Sequence, residues 1–237
     1  MMLFVASGIR ACISQILGEA MTTKYQAGLF DLDGVIVDTA KYHYLAWRNL
    51  ARQLGFEFTE QDNQRLKGVS RMRSLEILLE VGNLALDEAQ KTALAKQKNE
   101  EYVSYIKQLD RSELLPGAEA CLQQLREKGI KIALGSASKN APLILKNLEI
   151  EHLFDAVIDG NRVAKAKPDP EVFLLGAQEL GVPAMDCVVF EDAEAGLQAA
   201  RTAGMLAVGI GQAQDLPSAD IVFPGLYAVQ LDDLFQF

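Results

Sequence analysis

The sequence predicts an α/β fold on a buried parallel sheet, interrupted after its first strand by a block of helices. Three observations carry that prediction. Short apolar runs alternate with helical periodicity over the second half of the chain, and such runs mark strands covered on both faces. The first such run, at 27–30, is followed by a long stretch, 40–109, that reads helical throughout. The chain has 237 residues, of which 49% are hydrophobic and 23% charged, a globular composition with enough length to bury a substantial core.

The elements follow in order. The strand at 27–30 runs directly into Asp31-Leu32-Asp33-Gly34. In the helical stretch Tyr44, Trp47, Leu50, Ala51 and Leu54 recur at helical spacing. Thr59 with Asp62, and Asp87 with Gln90, stand where capping boxes would start further helices. Beyond Leu115-Pro116-Gly117 the period changes: a helix over 118–128 stops at Gly129 and a strand over 130–134 follows. A helix over 140–148, a short strand at 156–158 and a helix over 170–180 come next, then a strand at 187–190, a helix over 194–203 and a strand at 206–210. The division expected is a core of 21–39 and 112–237 and an inserted helical cap of 40–111. The cap would lie over the carboxyl edge of the sheet, where open α/β sheets bind ligands. Residues 1–20 are expected to lie outside the fold, because every recognisable motif begins after Met21. Their apolar run is broken by Ser7, Gly8 and Arg10 and lacks the basic lead of a signal peptide.

Charge and cysteine usage exclude several classes. Lys and Arg total 23 against 32 Asp and Glu, a net charge of −9, which argues against sequence-independent nucleic-acid binding. No apolar run approaches the roughly 18 residues of a membrane span. Cys12, Cys121 and Cys187 are isolated and never form CxxC, so neither a disulfide framework nor a zinc site is expected. A reducing, cytoplasmic location follows from the same usage. Gly209-Ile210-Gly211 follows a strand but has Gln214 where a dinucleotide site needs its third glycine.

The chemistry-bearing residues stand at strand ends. Asp31 and Asp33 would point to one side of an extended chain, and two such carboxylates call for a cation or a shared proton. Taken alone, Asp-Leu-Asp-Gly is equally a turn. Ser136 ends the next core strand and supplies a hydroxyl and free amides suited to a phosphate, or an ordinary helix cap. Lys167 precedes a helix, and could neutralise a nucleophile and phosphate or be merely solvated. Glu191-Asp192 follows a strand again. Two acidic pairs with a lysine and a hydroxyl make a constellation rather than a turn.

In that order, Asp31-Leu32-Asp33-Gly34, Ser136, Lys167-Pro168 and Glu191-Asp192 resemble the four motifs of the haloacid dehalogenase-like superfamily, over nearly the whole chain from Met21. The resemblance implies a Rossmann-like core with a helical cap. It makes Asp31 the nucleophile that forms an aspartyl-phosphate and Asp33 the general acid and base. Mg²⁺ would be held by Asp31, the Asp33 carbonyl and Asp192 with help from Glu191, while Ser136 and Lys167 bind the transferring phosphoryl group.

The cap segments resemble the sugar-phosphomutase branch of that superfamily: Thr39-Ala40 with Tyr42-His43 and Ala46-Trp47, Leu66-Lys67-Gly68-Val69-Ser70-Arg71 with Ser74, and Lys96-Gln97-Lys98-Asn99. Ser136-Ala137-Ser138-Lys139-Asn140 fits the same branch. That similarity implies that Arg71, Lys139 and Asn140 hold phosphate, with Ala137 and Ser138 in the same loop. His43, Trp47, Lys67, Gly68, Val69, Ser74 and Lys98 would contact sugar or position the cap, Ser70 lies in the cap loop, and Thr39 would be at the hinge. Read as residues alone, Trp47 is equally a core side chain, and His43, Arg71 and Lys98 equally surface groups. The expected reaction moves a phosphoryl group between C1 and C6 of β-glucose in a monomer that needs only a sugar phosphate. A sugar-phosphate phosphatase is the alternative, and a catalytically silent sensor is disfavoured by the intact Asp31, Asp33, Lys167 and Asp192.

Overall fold

The computed structural model describes residues 25–66 and 69–235. The expectation for 1–20 and the candidate residues Lys67 and Gly68 lie outside the described residues.

Among the described residues six strands form one parallel sheet: β1 (Ala27–Phe30), β2 (Lys131–Gly135), β3 (Ala156–Ile158), β4 (Cys187–Glu191), β5 (Leu206–Ile210) and β6 (Ile221–Phe223). Their order across the sheet is β3-β2-β1-β4-β5-β6, so the winding reverses between β1 and β4. A crevice opens at the carboxyl ends of the strands where such a reversal occurs. The strands are apolar along their whole length because both faces are covered. One face packs on α5 (Ala118–Glu127) and α6 (Ala141–Asn147) through Leu122, Leu125, Ile144 and Leu145. The other packs on α7 (Glu171–Leu180) and α8 (Glu194–Thr202) through Val172, Phe173, Leu197 and Ala200. The chain ends in β6 and the short α9 (Leu231–Leu234), neither of which the apolar pattern announces.

The stretch 40–109 is broken into separate helices: α1 (Ala40–Gln53), α2 (Glu60–Gln64), α3 (Arg71–Val81) and α4 (Glu88–Ile106). Both expected capping boxes form. Thr59 caps α2 with Asp62, and Asp87 caps α4 with Gln90, each pair exchanging side-chain and backbone bonds. These helices bury a cluster of their own, with Trp47, Leu50, Phe58, Leu75, Leu78 and Ala95 inside it. The chain crosses from the sheet to these helices and back at adjacent points. Val37 bridges Leu114, and Leu115 N donates to Ile36 O at 2.9 Å. Glu113, on the return crossing, accepts Lys41 Nζ at 2.5 Å and Tyr42 OH at 2.8 Å from the first turn of α1. No helix among the described residues is long and apolar enough to cross a membrane.

Candidate active site

The last residues of β1 and β4 set the site. Phe30 and Phe190 are register partners whose rings stack at 4.5 Å, and Asp31 N donates to Phe190 O at 2.9 Å. Asp31 and Glu191-Asp192 therefore leave the sheet side by side at the point where its winding reverses. Oxygens of Asp31, Glu191 and Asp192 lie within 4.8 Å of one another. Two glycines make room for them. A Cβ on Gly34, whose φ is +80°, would stand 2.1 Å from Asp192 Oδ2, and one on Gly196 would stand 1.9 Å from Glu191 Oε1.

Lys167 answers part of this charge. Its Nζ donates to Asp31 Oδ1 at 2.6 Å, Glu191 Oε1 at 2.5 Å and Gly135 O at 2.9 Å, above the Phe173 ring. Burial alone would lower its pKa, but Asp31 and Glu191 outweigh burial and hold the ammonium charged, above the ordinary lysine range. Burial lifts Glu191 above the carboxylate range; Lys167 resists that shift and Asp31 adds to it. Among the described residues Asp31, Glu191 and Asp192 bring hard oxygen donors together at one point, a donor set that fits a divalent cation. The Asp33 carbonyl accepts no hydrogen bond from the described residues, which leaves it open to such an ion.

Asp33 departs from the sequence expectation. Its carboxylate does not join the Asp31 cluster but accepts a short hydrogen bond from Thr39 Oγ1, which in turn accepts Tyr102 OH at 3.1 Å. The cause is local: Gly34 turns the chain, and Gly34 N closes on Val37 O at 2.8 Å, so the extended geometry that would align the two carboxylates ends at Asp31. Burial pushes Asp33 up to about 7, the Thr39 bond resists, and the Asp31 charge adds to the rise. A carboxyl group poised there can hold a proton and release it near neutral pH.

The strand β2 delivers Ser136, which is buried and whose Oγ accepts Ser138 N at 3.1 Å. Asn140 N donates to Ser138 Oγ at 3.3 Å, so 136–140 winds as a compact loop ahead of α6. Ala137 and Lys139 are exposed on it. Asn140 Nδ2 reaches Asn99 Oδ1 of α4 at 3.2 Å, a polar contact across the cleft.

A second group of side chains stands on the helices between β1 and β2. Lys98 is only 2% exposed, yet its ammonium meets no carboxylate among the described residues. It donates to His43 Nδ1 at 2.6 Å and sits 4.5 Å from the Trp47 ring centroid and 4.9 Å from that of Tyr102. His43 stacks on Tyr102 at 3.8 Å. Burial pushes Lys98 down to about 7, with Arg71 adding to the fall while Asp33 and Glu101 oppose it. Burial, then Lys98 and Arg71, hold His43 well below the usual histidine range, so the ring is neutral. Half-buried Arg71 is lowered mainly by burial and forms no ion pair with the described residues. Lys98 and Arg71 thus stand near each other with no ion-pair partner among the described residues, and Asp33 and Glu101 act on Lys98 only from further off.

The remaining candidates take varied positions. Thr39 and Ser74 are buried, Ser70 caps α3 by accepting Arg73 N at 3.3 Å, and Val69 stands exposed beside it. Trp47 is buried in the cluster of these helices, which is its core reading, and its ring also walls Lys98. Two neighbours have no motif signal that separates them from packing residues: Tyr102 reads as one more apolar position on α4, and Glu113 as part of a charged turn.

The chain matches the profile of the haloacid dehalogenase-like hydrolases over residues 25–204. It is 47% identical over 199 residues to β-phosphoglucomutase of Bacillus subtilis, covering 83% of this chain and 88% of that protein. It is 37% identical over 190 residues to fructose-1-phosphate phosphatase YqaB of Escherichia coli, covering 80% and 98% respectively. The crystal structure of β-phosphoglucomutase from Clostridium difficile superposes with a TM-score of 0.83 at 41% identity, covering 88% of this chain and 95% of that one.

Proposed function

The chain belongs to the haloacid dehalogenase-like hydrolase family, and on that premise we propose that it is a β-phosphoglucomutase, interconverting β-glucose 1-phosphate and glucose 6-phosphate through β-glucose 1,6-bisphosphate. In this reading 40–111 is the cap, 21–39 with 112–237 is the core, and residues 1–20 are not needed for either. The protein works as a cytoplasmic monomer, where the buried thiols Cys121 and Cys187 stay reduced.

Asp31 attacks the phosphorus and becomes the aspartyl-phosphate, which divides one difficult displacement into two easier ones. Lys167 lies on the nucleophile and draws charge from the transferring group, with Ser136 as a further donor. Asp33 holds a proton near neutral pH, passes it to the departing sugar oxygen, and takes one from the hydroxyl that attacks next. When bound by Asp31, the Asp33 carbonyl and Asp192 beside Glu191, Mg²⁺ supplies positive charge that offsets repulsion between the carboxylate and the phosphate.

One observation carries the mutase reading: a second cation site. Hydrolysis of a monophosphate needs one anion site, at Asp31 and Lys167. A sugar bisphosphate that must bind in either orientation needs another at its far end. Lys98 and Arg71, buried or half-buried without an ion-pair partner among the described residues, would supply that second site together with Ser138, Lys139 and Asn140, whose loop meets α4 through the Asn140–Asn99 contact. In the same reading Lys67, Gly68, Val69 and Ser74 contact the sugar or position the cap. The fructose-1-phosphate phosphatase relative keeps hydrolysis as the competing outcome.

The test is turnover with Mg²⁺ and a trace of β-glucose 1,6-bisphosphate. β-Glucose 1-phosphate should yield glucose 6-phosphate, and the α-anomer should not. Equal turnover of both anomers, or free phosphate as the main product, would contradict the proposal.

A further inference from the structure

A loop outside the expected site holds the phosphate-binding loop 136–140 in shape. Ser136 N donates to Ile158 O at 2.9 Å, at the end of β3. From there Gly160 N donates to Ser138 O at 3.2 Å, and Asn161 Nδ2 donates to Lys139 O at 3.1 Å. Asn161 is itself anchored: the buried Asp159 carboxylate accepts both its backbone N and its Nδ2 at 2.9 Å.

The consequence follows from the peptide plane. In a trans peptide the C=O and the next residue's N–H point in opposite directions. Holding Ser138 O toward Gly160 turns the Lys139 amide the other way, and holding Lys139 O toward Asn161 directs the Asn140 amide to Ser138 Oγ. Among the described residues the amides of Ala137 and Lys139 meet no protein acceptor, so both are open to an anion. The approach is too close for a side chain, since a Cβ on Gly160 would lie 2.2 Å from Ala137 O.

We infer that Gly160 and Asn161 are positioning residues: they take up the carbonyls of 138 and 139 so that this loop presents its donors to the distal phosphate of the sugar bisphosphate. The inference deepens the phosphomutase reading and rests on it.

The experiment compares two phosphoryl donors for Asp31. Acetyl phosphate has no second phosphate, whereas β-glucose 1,6-bisphosphate does. Labelling efficiencies (kcat/KM) are measured for the full chain and for Asn161→Ala, Asn161→Asp and Gly160→Ala, with melting temperatures alongside. Asn161→Asp keeps the shape but puts an acceptor against an acceptor. In Asn161→Ala the ratio of bisphosphate to acetyl phosphate efficiency should fall about tenfold, chiefly through KM, the scale of one lost hydrogen bond. Asn161→Asp should fall at least as far. Exposed Asn161 can be changed without disturbing the core, so it decides the matter even if Gly160→Ala does not fold. A native preference for bisphosphate with an unchanged ratio in the Asn161 variants, both efficiencies falling together, would overturn the positioning role alone. A native protein with no preference for the bisphosphate would overturn both this role and the mutase reading.

Discussion

Replacing Asp31 by Asn should abolish the phosphoenzyme and reduce turnover by at least about 10⁴-fold, the scale seen when a nucleophile is removed. An amide of the same shape cannot attack phosphorus. Nor should the fold suffer greatly. Lys167 loses one of its partners but keeps Glu191 Oε1 at 2.5 Å and Gly135 O at 2.9 Å, so no buried ammonium is orphaned. The backbone bond from residue 31 to Phe190 O does not depend on the side chain. The measurements are hydroxylamine-sensitive labelling from a bisphosphate donor, steady-state turnover, and a melting curve. Residual labelling in a clean Asp31→Asn preparation would place the nucleophile elsewhere.

Replacing Lys98 by Met should move stability and binding in opposite directions. Lys98 is a buried cation with a histidine acceptor and aromatic faces but no carboxylate in the described structure. Its folded pKa is about 7, against an ordinary value of 10.5, with burial the main cause. The unfolded chain therefore binds more protons between those values, and stability rises with pH across that window. Below about 7 both states are protonated and the full penalty remains. Methionine removes it, for a gain of about 1–4 kcal/mol, the range for exchanging buried ionic groups for apolar ones, less the cost of His43 Nδ1 losing its donor. The gain should be largest at or below pH 7 and should vanish toward pH 10.5. Binding of β-glucose 1,6-bisphosphate should weaken by roughly 1.5–3 kcal/mol, the worth of a charged hydrogen bond. A bound phosphate also raises the Lys98 pKa, so native affinity should fall as pH passes above about 7 while the variant's affinity loses that component. Thermal melts and calorimetric titrations over pH check both halves. A destabilised variant that binds as well as the native chain would contradict this account of the cap.

Residues with their own local signal were legible in the sequence. Apolar runs gave β1 to β5, because strands covered on both faces tolerate little else. The capping boxes at Thr59 and Asp87 were readable because they are satisfied by neighbours three residues on. Asp31 and Glu191-Asp192 at strand ends and Lys167 ahead of a helix stood in a recognisable order, and the structure brings them together. What depends on three-dimensional neighbours was not legible. β6 spans only Ile221–Phe223, too short to show a period. Gly34 signals a turn, but where that turn carries the Asp33 carboxylate depends on closure to Val37 and on Thr39, which the motif alone does not show. Lys98 looks like one more solvated lysine on a polar helix until α1 and α3 pack around it. Tyr102 has a role only through its partner at Thr39, far away in the chain.

The central claim is that a sugar hydroxyl, not water, accepts the phosphoryl group from Asp31. The direct measurement is the fate of label on isolated phosphoenzyme mixed with β-glucose 1-phosphate in a single turnover. The account predicts that most of the label appears in β-glucose 1,6-bisphosphate, and that it leaves far faster than in water alone. Label released as inorganic phosphate at the same rate with or without the sugar phosphate would contradict it.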